Sequence, residues 1–275
     1  MNIKKYLSQK RAVIDKAILK YLPPGEKFTE KLQKAVKYSL MSGGKRIRPI
    51  LTLAACEAVS GGFKNAIPLA VAVEMIHTYT LIHDDLPAMD DDDMRRGKPT
   101  CHKIFGEDVA ILAGDMLNTL AFEIIAENYG ERSGLLISEL SKALGINGVV
   151  GGQIADLKSA GRKIGMKELE FISCHKTADL FVACLRCGAI AGVASKSEIL
   201  KLADFARHMG LAFQIIDDIL DYKSGSKNNY PALLGMGRSR SAAKAEVDKA
   251  IDALPKNTNY SRLREIALFL ANRKE

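Results

Sequence analysis

Apolar residues recur along most of the chain at the spacing of an amphipathic α-helix. In the segment 30–41, for example, Leu32, Val36 and Leu40 fall on one helical face, as expected when one side of a helix packs on a core. Short β-branched runs with Asn-Gly turns, the usual sign of strands, are nearly absent. The pattern predicts an all-α protein, with further helices near 49–59, 68–83, 108–128, 133–146, 167–192, 196–221 and 241–253.

Several of these predicted helices are apolar on nearly every side, which favours positions inside a helical bundle rather than on its surface. The clearest runs from Leu69 to His83, after Pro68 at a position that the start of a helix tolerates. No linker, repeat or low-complexity segment divides the chain, so we expect residues 1–275 to form a single-domain bundle. Side chains that point into such a bundle commonly build a binding site, here at a deep central apolar cavity.

Composition and charge exclude more than they identify. With 47% hydrophobic and 26% charged residues, the chain has the composition of an ordinary globular protein. Its net charge of +8 suits a nucleic acid, an anionic membrane surface or a small polyanionic substrate. Nucleic acid is disfavoured because the chain has no Trp, few aromatic residues and no single dense basic stripe. Tight basic clusters at 45–48 and 95–96 favour pockets for phosphate instead.

The absence of targeting signals and the cysteine content predict a cytoplasmic protein. No apolar segment follows the basic start, and no stretch approaches the roughly 20 uninterrupted apolar residues of a membrane span. The five cysteines, an odd number, fit reduced thiols. Cys184 and Cys187, with Cys174 and His175 upstream, would allow a zinc site. Their apolar surroundings favour buried thiols.

The most informative feature is a cluster of six aspartates within ten residues, from Asp84 to Asp93, at the end of the apolar stretch 69–83. Carboxylates at a helix C-terminus oppose the helix dipole, so a counter-charge is needed there. A hard divalent cation with oxygen ligands would supply it. For an isolated acidic run, a solvated loop is the competing interpretation.

A second acidic cluster makes the metal interpretation stronger. Asp217, Asp218 and Asp221 end another apolar stretch, with Asp217 and Asp221 one helical turn apart and Gln214 one turn earlier. Two such clusters facing each other across a bundle would hold a divalent metal at the mouth of a hydrophobic cavity. Because Mg²⁺ prefers a few carboxylates together with water and substrate phosphates, a diphosphate would complete the site.

Basic residues near both clusters support a diphosphate substrate. The glycine-loosened turn 43–49 and the segment 95–98 are both basic, and further candidate phosphate ligands follow at Lys176, Thr177 and Lys227. Arginine forks and lysine point charges both suit phosphate. Each group alone is explained by a solvated surface, but together they favour a phosphate site.

These motifs resemble those of the trans-polyprenyl diphosphate synthases, in particular the short-chain bacterial farnesyl diphosphate synthases. Residues 43–49 (GGKRIRP) resemble the isopentenyl diphosphate site of that family, and residues 84–90 (DDLPAMD) resemble its first aspartate-rich motif. The similarity runs from about residue 21 to the end, and the later motifs follow in family order at 95–100, 151–157, 175–177 and 213–221. The resemblance implies an isoprenoid-synthase-type bundle, a homodimer, that joins isopentenyl diphosphate to an allylic diphosphate head to tail.

The resemblance also implies roles for individual residues, in each case by position in a matching motif. It implies three magnesium ions held, some through water, by Asp84, Asp85, Asp90, Asp217 and Asp221. It implies a catalytic set of Asp84, Asp85, Asp90, Lys176, Asp217 and Asp218. It implies that isopentenyl diphosphate contacts Lys45, Arg48, His77 and Arg96. It implies that the allylic diphosphate contacts Arg95, Lys176, Thr177, Gln214 and Lys227.

The expected chemistry is ionisation, condensation and elimination, with charge on the departing diphosphate stabilised by magnesium and basic side chains. The apolar bundle would keep water away from the allylic carbocation. Product length should depend on the depth of the cavity below Asp84. Tyr79, about one turn down the helix, would form a floor and favours the fifteen-carbon product farnesyl diphosphate. A deeper cavity would give geranylgeranyl diphosphate.

Two alternatives stay open beside this interpretation. A class I terpene cyclase shares the helical cavity and the metal chemistry, but Lys45 and Arg48 predict a site for a second diphosphate. A non-catalytic partner subunit of a heteromeric synthase would be expected to lose acids from one motif, and both motifs are intact here.

The chain departs from the family pattern after Asp221. Related proteins carry a longer loop before a Lys-x-Thr-Tyr-Pro segment, whereas here residues 222–226 lead almost directly to Lys227 and Pro231. About a dozen residues fewer are present, by ordinary loop lengths. Either the loop is deleted, or the protein is longer than the printed sequence at this point. We favour the second, which predicts an intact mass above 30.0 kDa.

Overall fold

The computed structural model describes residues 2–223 and 227–273, and within these ranges nearly all regular structure is helical. The all-α prediction is therefore confirmed. The α-helices of the described residues are α1 (Ile3–Tyr21), α2 (Glu30–Leu40), α3 (Ile47–Ser60), α4 (Ile67–Asp84), α5 (Cys101–Phe105), α6 (Glu107–Tyr129), α7 (Ser133–Leu144), α8 (Val149–Ser159), α9 (Met166–Ile172), α10 (Asp179–Ala191), α11 (Lys196–Leu220), α12 (Tyr230–Leu234), α13 (Met236–Ala253) and α14 (Ser261–Ala271). A two-stranded antiparallel hairpin is formed by β1 (Met94–Arg95) and β2 (Lys98–Pro99).

The sequence pattern misses α1, α8 and α14 and the short helices α5 and α12, and it merges α9 with α10. Helix α1 buries a single narrow stripe, Tyr6, Ile14 and Ile18 with the stem of Lys10, which is a weaker periodic signal than a broad apolar face. The predicted helix 167–192 is interrupted by a π-helical turn at Ser173–Ala178. A π-turn adds one residue to a continuing helix, so it hardly changes the apolar spacing.

One compact unit of the chain comprises Lys4–Leu53 and Ala66–Ile137. Its central element is α4, which packs along α6, and every residue from Leu69 to Ile76 is buried. The prediction that this helix lies inside the fold is therefore confirmed. The acidic end of α4 reaches the surface of the unit at Asp84.

The other unit comprises Ala54–Asn65 and the described chain from Ser138 onward, with the first residues of the chain. Its central element is α11, which packs against α10 and α13. Helix α11 begins at a capping box, in which Ser195 accepts from the backbone N–H of Glu198 and the Glu198 carboxylate accepts from Ser195. Ile215 and Ile216 pack in a buried cluster with Tyr230, directly before the second set of aspartates. That the whole chain is one domain around a deep apolar cavity stays a prediction.

Two stretches are long and apolar enough to cross a membrane by length and composition, Lys64–Asp84 and Glu107–Ser159. In the first, 61% of the apolar window is buried inside the structure, and in the second 50%. Core helices meet the same criterion, so these stretches do not assign the protein to a membrane. The absence of a membrane span stays a prediction.

The cysteines behave as the apolar surroundings predict. Cys184 and Cys187 are completely buried on α10, and none of the five cysteines, all within the described residues, forms a disulfide. Burial raises the pKa of Cys187 well above its usual value. The two buried thiols act as small apolar side chains here.

Candidate active site

The first acidic motif folds back onto the end of α4. The helix ends at Asp84, and the backbone N–H of Asp90 donates to the carbonyl oxygen of Asp84 at 2.9 Å. This bond brings the two outer acids of the motif to the same end of the helix. Asp84 is half-buried and Asp90 is exposed. Their carboxylates can therefore be approached by a ligand from solvent.

Asp85 has a different position from the other acids of the motif. Its side chain is buried, and its Oδ1 accepts from Arg95 Nε at 2.5 Å. Arg95 also reaches Asp92, at 3.0 Å from Nη2. Burial raises the pKa of Asp85, and the charge of Arg95 partly offsets this shift. Asp85 thus holds the β1–β2 hairpin against the end of α4, while its role as a metal ligand stays a prediction.

The two basic motifs meet at a glycine turn. Arg96 Nη1 donates to the Gly43 carbonyl oxygen at 2.6 Å. Gly44 has φ +110°, and a Cβ there would lie 2.5 Å from Arg96 Nη1. The backbone conformation therefore favours glycine, and an added Cβ would displace the Arg96 guanidinium from its place beside the turn. Next to this turn, Arg48 Nη1 lies 3.4 Å from His77 Nε2. Three of the four residues predicted to bind isopentenyl diphosphate thus lie around one turn, and the fourth, Lys45, is an exposed residue of that turn.

The electrostatics of this group favour an anionic ligand. Burial lowers the pKa of His77 well below its usual value, and the positive charges of Arg48 and Arg96 lower it further. His77 is therefore neutral at neutral pH, so its ring can both accept and donate a hydrogen bond. The remaining charge at the turn is positive, which suits a diphosphate.

Arg46, the first arginine of the GGKRIRP turn, does not belong to the group of residues predicted to bind isopentenyl diphosphate. Arg46 is fully buried and adopts φ +52°. Its Nε donates to Asp15 at 2.9 Å, its Nη1 to Glu74 at 2.5 Å and its Nη2 to the Leu40 carbonyl oxygen at 2.5 Å. The turn that carries Lys45 and Arg48 is therefore tied to α1 and α4 by an internal ion-pair network, which we call the Arg46 network.

The second set of predicted residues assembles at the end of α11. Thr177 Oγ1 donates to Gln214 Oε1 at 2.8 Å, and Gln214 Nε2 donates to Asp218 Oδ1 at 2.9 Å. The other oxygen of Asp218 accepts from the backbone N–H of Tyr230 at 3.0 Å. Burial raises the pKa of Asp218, and these two hydrogen bonds partly offset the shift. Asp218 thus orders the site, whereas Asp217 is half-buried and Asp221 exposed.

Lys176 is presented by the π-helical turn. Its Nζ donates to Asp156 Oδ2 at 2.6 Å. Helix α8 approaches the turn so closely that a Cβ on Gly152 would lie 2.2 Å from the backbone nitrogen of Lys176. Single π-turns are frequent at functional sites. In this turn the extra residue presents Lys176 and Thr177 beside α8 and α11.

The remaining predicted residues lie where they could serve, without a contact that assigns a role. Tyr79 is half-buried, with its ring 5.9 Å from that of His83 in an edge-on arrangement. Burial raises the pKa of Tyr79, with a contribution from Asp84. Lys227 is exposed. Residues 224–226, at the point where the sequence departs from the family pattern, lie outside the described residues, so the question of a deleted loop stays open.

Several residues of these groups were missed by sequence reasoning. Asp156 lies in the GGQIADL motif, which was a usable signal, but no role was predicted for it. Glu74 was hidden in an apolar helix, and Asp15 lies in a helix that was not predicted. Arg273 follows α14, and its Nη2 donates to Asp217 Oδ1 at 2.5 Å. No motif marks Arg273.

The chemistry of the donor set suits Mg²⁺. Asp84 with Asp90, and Asp217 with Asp221, offer carboxylate oxygens at helix ends. Within residues 2–223 and 227–273, no three His, Cys, Asp or Glu side chains converge on one point. Mg²⁺ takes few carboxylates and fills its other positions with water and phosphate, whereas structural zinc needs three or four converging protein ligands.

Comparison with known proteins places the chain in a family. The polyprenyl synthetase family profile matches residues 29–230. Farnesyl diphosphate synthase of Geobacillus stearothermophilus is 42% identical over 269 residues, which cover 91% of this chain and 90% of that protein. Heterodimeric geranylgeranyl pyrophosphate synthase large subunit 1, chloroplastic, of Arabidopsis thaliana is 45% identical over 272 residues, which cover 90% of this chain and 73% of the plant protein. The crystal structure of an FPP/GFPP synthase from Zymomonas mobilis superposes with a TM-score of 0.92 at 39% identity, over 98% of both chains.

The helical fold is that of an isoprenoid-synthase-type prenyltransferase. The chain belongs to the polyprenyl synthetase family, and its activity is that of a trans-prenyl diphosphate synthase, with isopentenyl diphosphate and an allylic diphosphate as substrates. The relatives include synthases of both farnesyl and geranylgeranyl diphosphate.

Proposed function

We propose that the protein is a magnesium-dependent farnesyl diphosphate synthase that condenses isopentenyl diphosphate with dimethylallyl or geranyl diphosphate. The observation that carries this proposal is the pair of complete acidic motifs, each beside its own basic group. A cyclase has no use for the second basic group at Lys45 and Arg48. A non-catalytic subunit has no need for acids in both motifs.

The residues divide the work between the two substrates. Lys45, Arg48 and Arg96 bind the diphosphate of the isopentenyl substrate, with neutral His77 as an additional hydrogen-bonding group. Lys176, Arg95, Thr177 and Gln214 would contact the allylic diphosphate, as their positions in the matching motifs imply. Asp84, Asp90, Asp217 and Asp221 would hold magnesium, which would supply the charge stabilisation that the departing diphosphate needs. The proton lost in the final elimination passes to the released diphosphate, because no other base is required.

The fifteen-carbon product is proposed because of Tyr79. This side chain precedes Asp84 by five residues on α4, and its ring packs beside His83. A bulky ring one turn below the first metal ligand would stop chain growth after one or two condensations. Geranylgeranyl diphosphate is the second candidate, since relatives of similar identity carry that name.

The test is an incubation of the purified protein with labelled isopentenyl diphosphate and geranyl diphosphate, with and without Mg²⁺, followed by product sizing. A magnesium-dependent fifteen-carbon product supports the full proposal. A twenty-carbon product keeps the reaction and rejects the Tyr79 floor. No product, under conditions in which the diphosphates bind, rejects the enzyme proposal in favour of a partner subunit.

Two variants locate the reaction. Asp84→Asn and Asp217→Asn should each lower kcat at least about 100-fold, the scale of losing one group that stabilises charge in the transition state. Asp252→Asn changes an exposed aspartate of α13 and should leave kcat unchanged. Equal effects of all three variants would contradict the assignment of the motifs.

We also propose a cytoplasmic homodimer. The homodimer is supported by two apolar side chains on α6, Ile111 and Leu112, which are 45% and 54% exposed. Light scattering at several protein concentrations measures the oligomeric state directly. A monomer with full activity would reject the homodimer.

A further inference from the structure

Arg273, which follows α14, forms an ion pair with an aspartate of the second motif. Its Nη2 donates to Asp217 Oδ1 at 2.5 Å and to the Phe213 carbonyl oxygen at 2.9 Å. Its guanidinium carbon lies 3.8 Å from the centroid of the Phe213 ring. The side chain of Arg273 is only 6% exposed, whereas that of Asp217 is 38% exposed. The arginine is thus fixed from several sides.

The guanidinium of Arg273 lies beside a pair of neighbouring carboxylates. Asp217 and Asp221 lie one turn apart on α11, a spacing at which two carboxylates repel each other. The charges of both aspartates act on Arg273 and partly offset the lowering of its pKa by burial. The guanidinium stays protonated in any case. The repulsion that sequence reasoning expected a metal to relieve is therefore relieved by a side chain of the protein.

We infer that Arg273 is a resident cation of the second acidic motif, which orients Asp217 in the metal-free protein and competes with a divalent cation for the same carboxylate. The inference rests on the proposed function, because it presumes that Asp217 is a metal ligand. Arg273 is a positioning residue, since it acts through Asp217. Binding of the metal then has to displace the guanidinium from Asp217 or share the carboxylate with it.

Competition of this kind has two opposite consequences. Removing Arg273 takes an ion pair and a stacked ring contact from the metal-free protein, so that form becomes less stable. The same change removes a competitor, so the metal binds more tightly. A merely structural arginine would lower stability with and without metal and would leave metal affinity unchanged or weaker.

The test compares Arg273→Gln with the wild-type protein and with Arg262→Gln. Arg262 is a matched control, because it is an arginine on α14 that pairs with a glutamate outside the acidic motifs, Glu265, at 2.6 Å. Binding of Mn²⁺ alone, a reporter for Mg²⁺, is followed by electron paramagnetic resonance of the free ion. We expect Arg273→Gln to lower the half-saturating Mn²⁺ concentration about three- to tenfold, the range of a partly exposed ion pair, and Arg262→Gln to leave it unchanged.

The second measurement is thermal unfolding in chelator and in saturating Mg²⁺. We expect Arg273→Gln to lower Tm in chelator and the difference to shrink with Mg²⁺. Arg273→Lys keeps the charge and should lie between the two proteins, and it serves if the glutamine variant does not fold. Unchanged or weaker Mn²⁺ binding by both variants would overturn the inference while leaving the proposed function standing. If none of the proteins binds Mn²⁺, the inference fails, whereas product formation with and without Mg²⁺ still tests the magnesium dependence and the reaction itself.

Discussion

Replacing Arg46 by methionine should destabilise the protein strongly, because it leaves Glu74 as a buried carboxylate without its counter-charge. Arg46 and Glu74 each have side chains only 1% exposed, and Glu74 Oε2 already has no hydrogen-bond partner. Three hydrogen bonds of Arg46 would be lost, two of them to carboxylates. Breaking one partner of a buried ion pair costs about 3–5 kcal/mol. The free energy of unfolding in urea should fall by that amount.

The cost should depend on pH. Burial raises the pKa of Glu74 above its usual value even with Arg46 present, so the folded state holds this proton more tightly than the unfolded state does. Stability therefore falls as pH rises from the unfolded pKa towards the folded pKa. Removing Arg46 raises the folded pKa further. The destabilisation by Arg46→Met should thus be smaller at pH 5 than at pH 8.

A double variant separates the missing charge from the missing packing. Arg46→Met with Glu74→Met replaces the pair by apolar side chains, and such replacements of buried pairs are often near neutral. The double variant should therefore recover most of the lost stability. Lys34→Met breaks the exposed pair of Lys34 and Glu30 and should have no measurable effect. A double variant no more stable than Arg46→Met would refute the reasoning, because the cost would then not come from the stranded carboxylate.

Three further predictions concern the site. Tyr79→Ala should lengthen the product by at least one isoprene unit, seen by product sizing; an unchanged product would show that the floor lies elsewhere. Gly152→Ala should cost about 1–3 kcal/mol by overpacking and lower kcat, because its Cβ would meet the backbone of Lys176; Gly237→Ala, with no atom within 4 Å of the added Cβ, should do neither. His77→Leu should lose less stability between pH 7 and pH 5 than the wild-type protein. The pKa of His77 is lowered in the folded state, so the wild-type protein takes up a proton on unfolding as pH falls through the usual pKa of histidine. Equal shifts of the urea midpoint in both proteins would contradict this.

The features that sequence predicted well are those written in local residue order. An apolar stretch that ends in acids is expected to form a buried helical segment with carboxylates at its end. Helix α4 and the last turns of α11 both have this arrangement. The helical spacing of Asp217 and Asp221 also follows from residue order alone. The way in which the motif 84–90 folds back is also local, because the hydrogen bond from the Asp90 N–H to the Asp84 carbonyl oxygen joins residues only six positions apart.

The features that sequence did not predict depend on partners far along the chain. Arg46 reads as one more phosphate ligand in a basic turn, and only the distant Glu74 and Asp15 make it an internal residue. Arg273 reads as an ordinary charge after the last helix until the fold brings it to Asp217. Asp218 was predicted only as a member of the catalytic set, and the sequence does not show that the backbone N–H of Tyr230 donates to one of its oxygens. In each case the sequence shows a charged residue but does not show which partner its side chain contacts.

The position of the Arg46 network has a practical consequence for trimming the protein. The family profile covers residues 29–230, and a domain boundary drawn there would be a natural choice for expression. It would remove α1, and with it Asp15 and the buried side chains Ile14 and Ile18, so the basic turn would lose one of its two carboxylate partners. A fragment that keeps every residue matched by the family profile would therefore lack residues that stabilise the matched segment.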